Sequence, residues 1–308
     1  YHIFDGFATS PIDQRFNHGY LAVDFFFMLS GFVVGYAYDD RWKTTMNTKD
    51  FFKRRLIRLH PMVILGAVLG AITFCIQGCE KWDGTQVSIS MVMLALLLNL
   101  FLIPAVPGSG SEVRGNGEMY PLNGPSWSLF FEYIGNILYA LFIRRFSTKQ
   151  LTVLVILDYN LLGGFLRLLF AFSAGLLMSR IFKPVKIRGA FWICSIAIAV
   201  LLSIPHIGGM EASWMNGIYD SVCTIILFPI LVYLGASGKT TDKGTSGICK
   251  FLGDISYPLY IVHYPFMYLY YAWLWSGEKL TFSDTWPVAL IVFFGNILLA
   301  YLCLKLEN

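Results

Sequence analysis

The sequence predicts an all-α fold, a polytopic bundle of transmembrane helices with about nine to ten spans in this stretch of chain. Three observations predict it. Hydrophobic residues make up 56% of the 308 positions and charged residues only 14%, where soluble domains carry about 25% charged residues. Apolar runs as long as a membrane span recur along the chain. Basic residues gather between those runs, and tryptophans and tyrosines gather at their ends. In hydrocarbon every backbone polar group must be satisfied within its own segment, so the runs are read as helices.

The runs fall at 19–38, 61–78, 87–103, 127–143, 164–182, 189–205, 218–236, 255–276 and 287–306. A weaker one at 151–162 is interrupted by Asp158. Residues 1–4 read as the tail of a further span. Trp127, Trp192, Trp273 and Trp286 sit at run ends, as interfacial aromatics do. The longest connection, 104–126, is rich in Pro, Gly and Ser and carries Glu112, Arg114 and Glu118. Residues 41–58, 180–188 and 239–250 hold most of the Lys and Arg and are assigned to the cytoplasmic side. Arg144-Arg145 then faces outside, unless the segment before it is re-entrant. The chain opens Tyr1-His2 without an initiator Met and closes just after an apolar run. Both ends read as cuts through a longer protein, with 1–308 as one membrane-embedded domain.

The net charge of +4 lies in loops, so it reads as an orientation signal and not as a nucleic-acid surface. The six cysteines form no CxxC pair and no metal spacing, so they are read as small hydrophobes, and no metal site is expected.

A few polar residues inside or beside the runs can carry chemistry. Asp24 lies within His18 through Phe32, an otherwise almost wholly apolar stretch. A charge there costs roughly 2.5–3.5 kcal/mol on insertion scales, so it needs a partner or a task. It can orient a histidine, bind a sugar hydroxyl or pair with an arginine; the plainer reading is an interhelical bond. His2 suits a general base near neutral pH, though a histidine at a helix end is often structural. Arg55 and Arg58 share a helical face and can grip phosphate, but a basic run beside a span is also ordinary anchoring. Glu132 follows Pro125-Ser126-Trp127-Ser128, a helix start. It is either an acid favoured by the helix dipole or a buried acid facing Asp24 or His2. Arg167 either snorkels or enters a polar cavity. Ser256, Tyr257 and His263 lie where interfacial residues are common. A span with a buried acid followed by a cationic turn suggests a membrane protein that handles an anionic ligand.

Five stretches together resemble one family. They are Tyr1-His2, Gly19 through Phe32, Arg54 through Pro61, Pro125 through Glu132, and Ile255 through Pro265. In that order they are similar to the acyltransferase-3 family of integral membrane acyltransferases, many of which O-acetylate carbohydrates, and the resemblance covers nearly the whole chain. It implies that His2 is catalytic, that Arg55 and Arg58 match the family's Arg-x-x-Arg motif for the acyl donor, and that Glu132 matches its glutamate after Trp-Ser-Leu. The family also has an arginine eleven positions before the histidine, and this chain starts one residue before His2. The family usually reads Tyr where this chain has His60, and the region 151–162 looks short.

The expected activity is transfer of an acyl group, acetyl first, from acyl-CoA as co-substrate to a hydroxyl of a glycan, at the bacterial cytoplasmic membrane. His2, Asp24 and Glu132 are the expected catalytic residues and Arg55 and Arg58 the donor-binding pair. Trp127, Arg167, Ser256, Tyr257 and His263 are candidates to line the site, with Tyr257 a candidate oxyanion donor. The alternative is a transporter or flippase for an anionic or sugar-bearing substrate, in which buried Asp24 and Glu132 serve proton coupling.

Overall fold

The computed structural model describes residues 1–10, 12–160, 165–239, 243–277 and 280–307. Parts of the apolar runs at 151–162 and 164–182, namely 161, 162 and 164, lie outside the described residues. The helices are α1 (His2–Asp5), α2 (Leu21–Tyr38), α3 (Thr48–Ile76), α4 (Ile89–Leu100), α5 (Ser126–Leu141), α6 (Thr148–Asn160), α7 (Phe165–Ile181), α8 (Ala190–Leu202), α9 (Trp214–Val222), α10 (Phe228–Ala236), α11 (Lys243–Trp275) and α12 (Phe282–Glu307). Among the described residues, each apolar run falls on helix. Cys223–Leu227 is a π-helical turn joining α9 to α10.

Five stretches are long and apolar enough to cross a membrane: Asn17–Lys43, Thr48–Ile76, Ser126–Arg145, Trp214–Ala236 and Phe282–Lys305. Ile89–Leu100, Thr148–Leu157 and Ala190–Leu202 are shorter apolar helices. Large apolar side chains point outward along these helices, among them Leu29, Val33, Leu97, Ile291 and Phe294. Such faces suit lipid.

Two helices start earlier than the apolar runs suggest. The stretch before Pro61 is not a cationic turn: α3 begins at Thr48 and carries the whole basic run. Its start is set by Asn47, whose side chain accepts from the Asp50 N–H at 2.9 Å and donates to the Asp50 carboxylate at 2.6 Å. Asn47 is thus a side-chain N-cap, and the Asp50 carboxylate holds the Asn47 amide in its capping position. Pro61 sits inside the helix. Likewise α11 begins at Lys243 and runs through Pro258 and Pro265. Ser256, Tyr257 and His263 therefore lie well inside α11 and not at its start.

The residues divide into two compact units. The first comprises residues 1, 3–52 and 131–247. Its spine is the pair α2 and α7, which pack along their length. Small residues let the two backbones close up. A methyl added at Gly31 would overlap the Phe172 carbonyl, and one added at Gly175 would overlap the Met28 carbonyl. Gly31 and Gly35 stand four apart on one face, the spacing that membrane helices use for close approach. Near the C-terminal ends of both helices, Asp39 accepts from Arg180 Nε at 2.7 Å and from the Tyr139 hydroxyl at 2.7 Å. Arg144 packs over the Trp42 ring at 4.1 Å and donates to the Ala140 carbonyl. Arg144 is thus held by its own unit whichever side it faces. Strands β1 (Ile187–Arg188) and β2 (Gly238–Lys239) form a short parallel pair.

The second unit comprises residues 2, 53–130 and 248–308. Ala71, Phe74, Val92, Ala95, Val113 and Leu122 belong to one buried cluster that joins α3, α4 and the long loop. The loop is pinned inward. Arg114, fully buried, donates to the Pro121 carbonyl at 2.5 Å and to Gln77 at 3.0 Å. Its guanidinium lies 3.6 Å from the Tyr268 ring centre and 5.0 Å from those of Phe74 and Trp82. Tyr120 donates to the Leu102 carbonyl at 2.7 Å. The Pro/Gly/Ser-rich connection is therefore folded into its unit by its own polar groups.

Candidate active site

In the second unit, His2 stands against α11. Its ring lies edge-on to Tyr264 at 4.9 Å and 5.4 Å from the ring of His263. The Tyr271 hydroxyl donates to the His2 carbonyl at 2.6 Å, which fixes the first turn of the chain. Nδ1 of His263 faces the Leu259 and Tyr260 carbonyls at 3.1 and 2.9 Å. Carbonyls only accept, so Nδ1 carries the proton and Nε2 is the acceptor in the neutral ring. Tyr264 meets Tyr268 edge-on at 4.7 Å, and Tyr268 donates to Glu118. A row of polar rings thus runs from His2 to the Arg114 guanidinium. Burial pushes the Glu118 carboxyl up from its ordinary value.

In the first unit, the carboxylate of Asp24 is fully buried and accepts from one edge of the Arg167 guanidinium, Nε at 2.7 Å and Nη2 at 2.6 Å. This is the two-point geometry that a guanidinium makes with a carboxylate. Of the three roles open to Asp24 in sequence, it takes up pairing with an arginine. Arg167 enters a polar cluster and does not simply snorkel. Glu132 is buried and accepts from Ser30 at 3.2 Å. Ser30 lies on α2 about 9 Å of helical rise beyond Asp24, so both predicted acids engage the same helix at different heights.

The remaining predicted residues divide. Arg55 is buried and Arg58 exposed, so the two guanidinium groups of the family motif sit in different surroundings despite their spacing. Tyr257 donates to the Leu59 carbonyl at 2.6 Å. That joins α11 to the residue after Arg58 and commits the Tyr257 hydroxyl to a carbonyl. Ser256 is exposed and turns back to the Gly253 carbonyl at 2.8 Å. Trp127 is half-buried in the first turn of α5. Ser128, one residue on, exchanges a hydrogen bond with Tyr260 at 2.7 Å.

Sequence reasoning passed over Asp220, His18 and Tyr20. Asp220 accepts from the Tyr20 hydroxyl on both oxygens, at 2.8 and 2.7 Å, and lies 3.7 Å from Arg167 Nη1. A signal for it was present: it is a single carboxylate in an apolar run, the same feature that singled out Asp24. Tyr264 and Tyr268 were hidden among the many aromatics of α11. No group of His, Cys, Asp and Glu able to hold a metal occurs among the described residues.

The chain is similar to several known proteins. A 25% identity over 277 residues, covering 83% of this chain and 79% of the relative, links it to the exopolysaccharide production protein ExoZ of Rhizobium meliloti. A 24% identity spanning 92% of this chain and 78% of the relative links it to the acyltransferase MdmB of Streptomyces mycarofaciens. Protein 2 in the picA locus of Rhizobium radiobacter is 35% identical over 147 residues, which are 44% of this chain and 72% of that protein. No solved structure matches. The model of the acyltransferase domain family matches residues 1–305. Membership in an enzyme family, with apolar helices throughout, answers the carrier alternative: the chain belongs to the acyltransferase-3 family and is a membrane O-acyltransferase.

Proposed function

We propose that this protein transfers an acyl group, acetyl first among candidates, from acyl-CoA to a hydroxyl of a polysaccharide. The observation that carries the reading is the family match across residues 1–305, seen together with a relative named for exopolysaccharide production. In this reading the whole chain is one catalytic domain of the bacterial cytoplasmic membrane, and its shorter apolar helices cross the membrane with the five longer ones to give about nine to ten spans.

His2 takes the proton of the acceptor hydroxyl as that oxygen attacks the thioester carbonyl. The C–O bond forms, the carbonyl becomes a tetrahedral oxyanion, and donors nearby stabilise its charge. Collapse breaks the C–S bond, and the proton passes from His2 to the departing thiolate, giving the ester and the free thiol. His263 and Tyr264, whose rings flank His2, position its imidazole. Glu132 and Asp24 are the acids assigned to the reaction, and Asp24 acts through the Arg167 it holds. Arg55 and Arg58 meet the phosphates of the donor, for which guanidinium forks are suited.

The test uses membranes carrying the protein expressed from its complete gene, supplied with radiolabelled acetyl-CoA. Label is expected in the glycan fraction, and a His2→Ala variant inserted at the same level leaves that fraction unlabelled. Labelling that persists in His2→Ala removes His2 from the reaction. Label in neither sample overturns the acetyl-CoA-to-glycan reading.

A further inference from the structure

The polar cluster around Asp220, in the first unit, has a composition that packing does not require. Arg167 Nη1 and Asp220 Oδ2 face each other at 3.7 Å, too far for a direct hydrogen bond. Both groups are partly exposed, Arg167 by 33% and Asp220 by 18% of their side chains. On the protein side, His18 is fully buried. Its Nδ1 faces the Ile204 carbonyl at 2.8 Å and so carries the proton. Its Nε2 has no hydrogen-bond partner and lies 3.7 Å from Asp220 Oδ1. A buried imidazole nitrogen left unsatisfied costs free energy unless something donates to it.

The groups around Asp220 are held in place. Tyr20 donates to both Asp220 oxygens, and Asn216 donates to the Tyr20 hydroxyl at 3.2 Å. Asn216 is fixed in turn by the Ile207 N–H at 3.1 Å. Asp24 grips the other two nitrogens of Arg167 and leaves only Nη1 facing Asp220. The Tyr219 ring packs on His18 at 4.3 Å. Gly217, one turn before Asp220 on α9, has open space where a side chain would stand.

Charge and spacing together choose the ligand class. An anion is disfavoured, because Asp24 already neutralises Arg167 and Asp220 adds a further negative charge. A metal cation is disfavoured by the Arg167 nitrogen beside the carboxylate. What remains is a neutral molecule rich in hydroxyls. A hydroxyl about 2.8 Å from each group can accept from Arg167 Nη1 and donate to Asp220, bridging the 3.7 Å between them. His18 Nε2, enclosed by protein, faces the other oxygen of the same Asp220 carboxylate at 3.7 Å and backs it from the interior side. We propose that Arg167 and Asp220 form a hydroxyl-recognition subsite for a sugar ring, with His18, Asp24, Tyr20 and Asn216 as positioning residues. This rests on the carbohydrate-acceptor reading given above and names the residues that hold the acceptor.

The test separates binding from transfer. The protein is placed in lipid nanodiscs, and saturation-transfer NMR is recorded with methyl β-D-glucopyranoside, methyl β-D-galactopyranoside and methyl α-D-mannopyranoside. Saturation of ring protons is expected for at least one glycoside, reduced at least fivefold in Asp220→Asn. Should Asp220→Asn fail to fold, as judged by size-exclusion profile, Tyr20→Phe is used and is expected to weaken the signal two- to fivefold. No saturation in the unaltered protein overturns the subsite, as does an equal signal in the folded variant. Glycoside binding that depends on Asp220, without acyl transfer to glycan, leaves the subsite standing and removes the proposed acetyl-CoA-to-glycan reaction. Transfer to glycan with binding indifferent to Asp220 does the reverse.

Discussion

Arg167 holds Asp24 by two parallel bonds, Nε to one carboxylate oxygen at 2.7 Å and Nη2 to the other at 2.6 Å. The carboxylate is fully buried on α2, and the guanidinium comes from α7, the helix packed along it. Arg167→Ala leaves the Asp24 charge in a low-dielectric interior, which costs about 3–5 kcal/mol for buried pairs, while Asp24→Ala costs less because Arg167 is partly exposed and keeps Asp220 beside it. Asp24→Ala and Arg167→Ala are each expected to lower the thermal midpoint in detergent. Asp24→Asn combined with Arg167→Gln is expected to recover much of that loss, because neither residue is then left as an isolated charge. Equal, additive losses in the double variant would show that the two side chains do not depend on each other.

The α2–α7 contact depends on the absence of side chains at its closest points. Gly31→Ala and Gly175→Ala each place a methyl onto a facing backbone carbonyl, and backbone cannot step aside as a flexible side chain can. Overpacking of this kind costs about 1–3 kcal/mol. Gly253→Ala, where an added methyl meets open space inside α11, is the control and should not lower stability, alanine favouring the helix by about 0.5–1 kcal/mol. Thermal unfolding of the three variants, followed by intrinsic tryptophan fluorescence, checks the ranking.

Arg55 and Arg58 are expected to fail in different ways. Arg55 is buried, so Arg55→Ala should reduce the yield of folded protein. Arg58 is exposed, so Arg58→Ala should leave the folded yield intact and raise the KM for acyl-CoA about tenfold, the equivalent of ~1.4 kcal/mol. Steady-state transfer against donor concentration measures it. An unchanged donor KM in Arg58→Ala would return that residue to membrane anchoring.

The long loop should report pH through Glu112. Its carboxylate accepts from the Gly117 N–H at 2.7 Å and the Gly108 N–H at 3.2 Å, and these bonds hold its carboxyl below the usual range. A carboxyl lowered on folding stabilises above its unfolded value, about 4.3, and that contribution is lost as pH falls through the folded value. Glu112→Gln should therefore lower the thermal midpoint at pH 7, with the difference from the unaltered protein shrinking as pH drops towards 3. A difference constant over that range would mean that the Glu112 charge contributes nothing.

Arg114 should prove a fastener of the same loop. Its guanidinium is fully buried between Phe74, Trp82 and Tyr268. Arg114→Ala removes two hydrogen bonds and the packing of a long side chain, with a cost of about 3–5 kcal/mol. Limited proteolysis should then cut within 101–125 before any other segment. Unchanged resistance would mean that the loop holds without Arg114.

The sequence by itself determined the membrane class, the helical state of every apolar run and the family, because length, apolarity and motif order are local properties of the chain. It also marked Asp24, Glu132 and Arg167, because a charge in an apolar run is conspicuous wherever it folds. Helix starts were less legible: the basic run before Pro61 reads as a turn, while the Asn47–Asp50 cap carries α3 through it. The partnerships came only from the tertiary structure. Asp24 and Arg167 are 143 positions apart, and Tyr20 and Asp220 are 200 apart. Nothing in either segment names its partner, since the pairing is fixed by which glycines let α2 and α7 close and by how α9 then meets the start of α2. Arg55 and Arg58 show the same limit in miniature. Their spacing puts them on one helical face, but burial depends on what packs against that face, and only the folded chain supplies it.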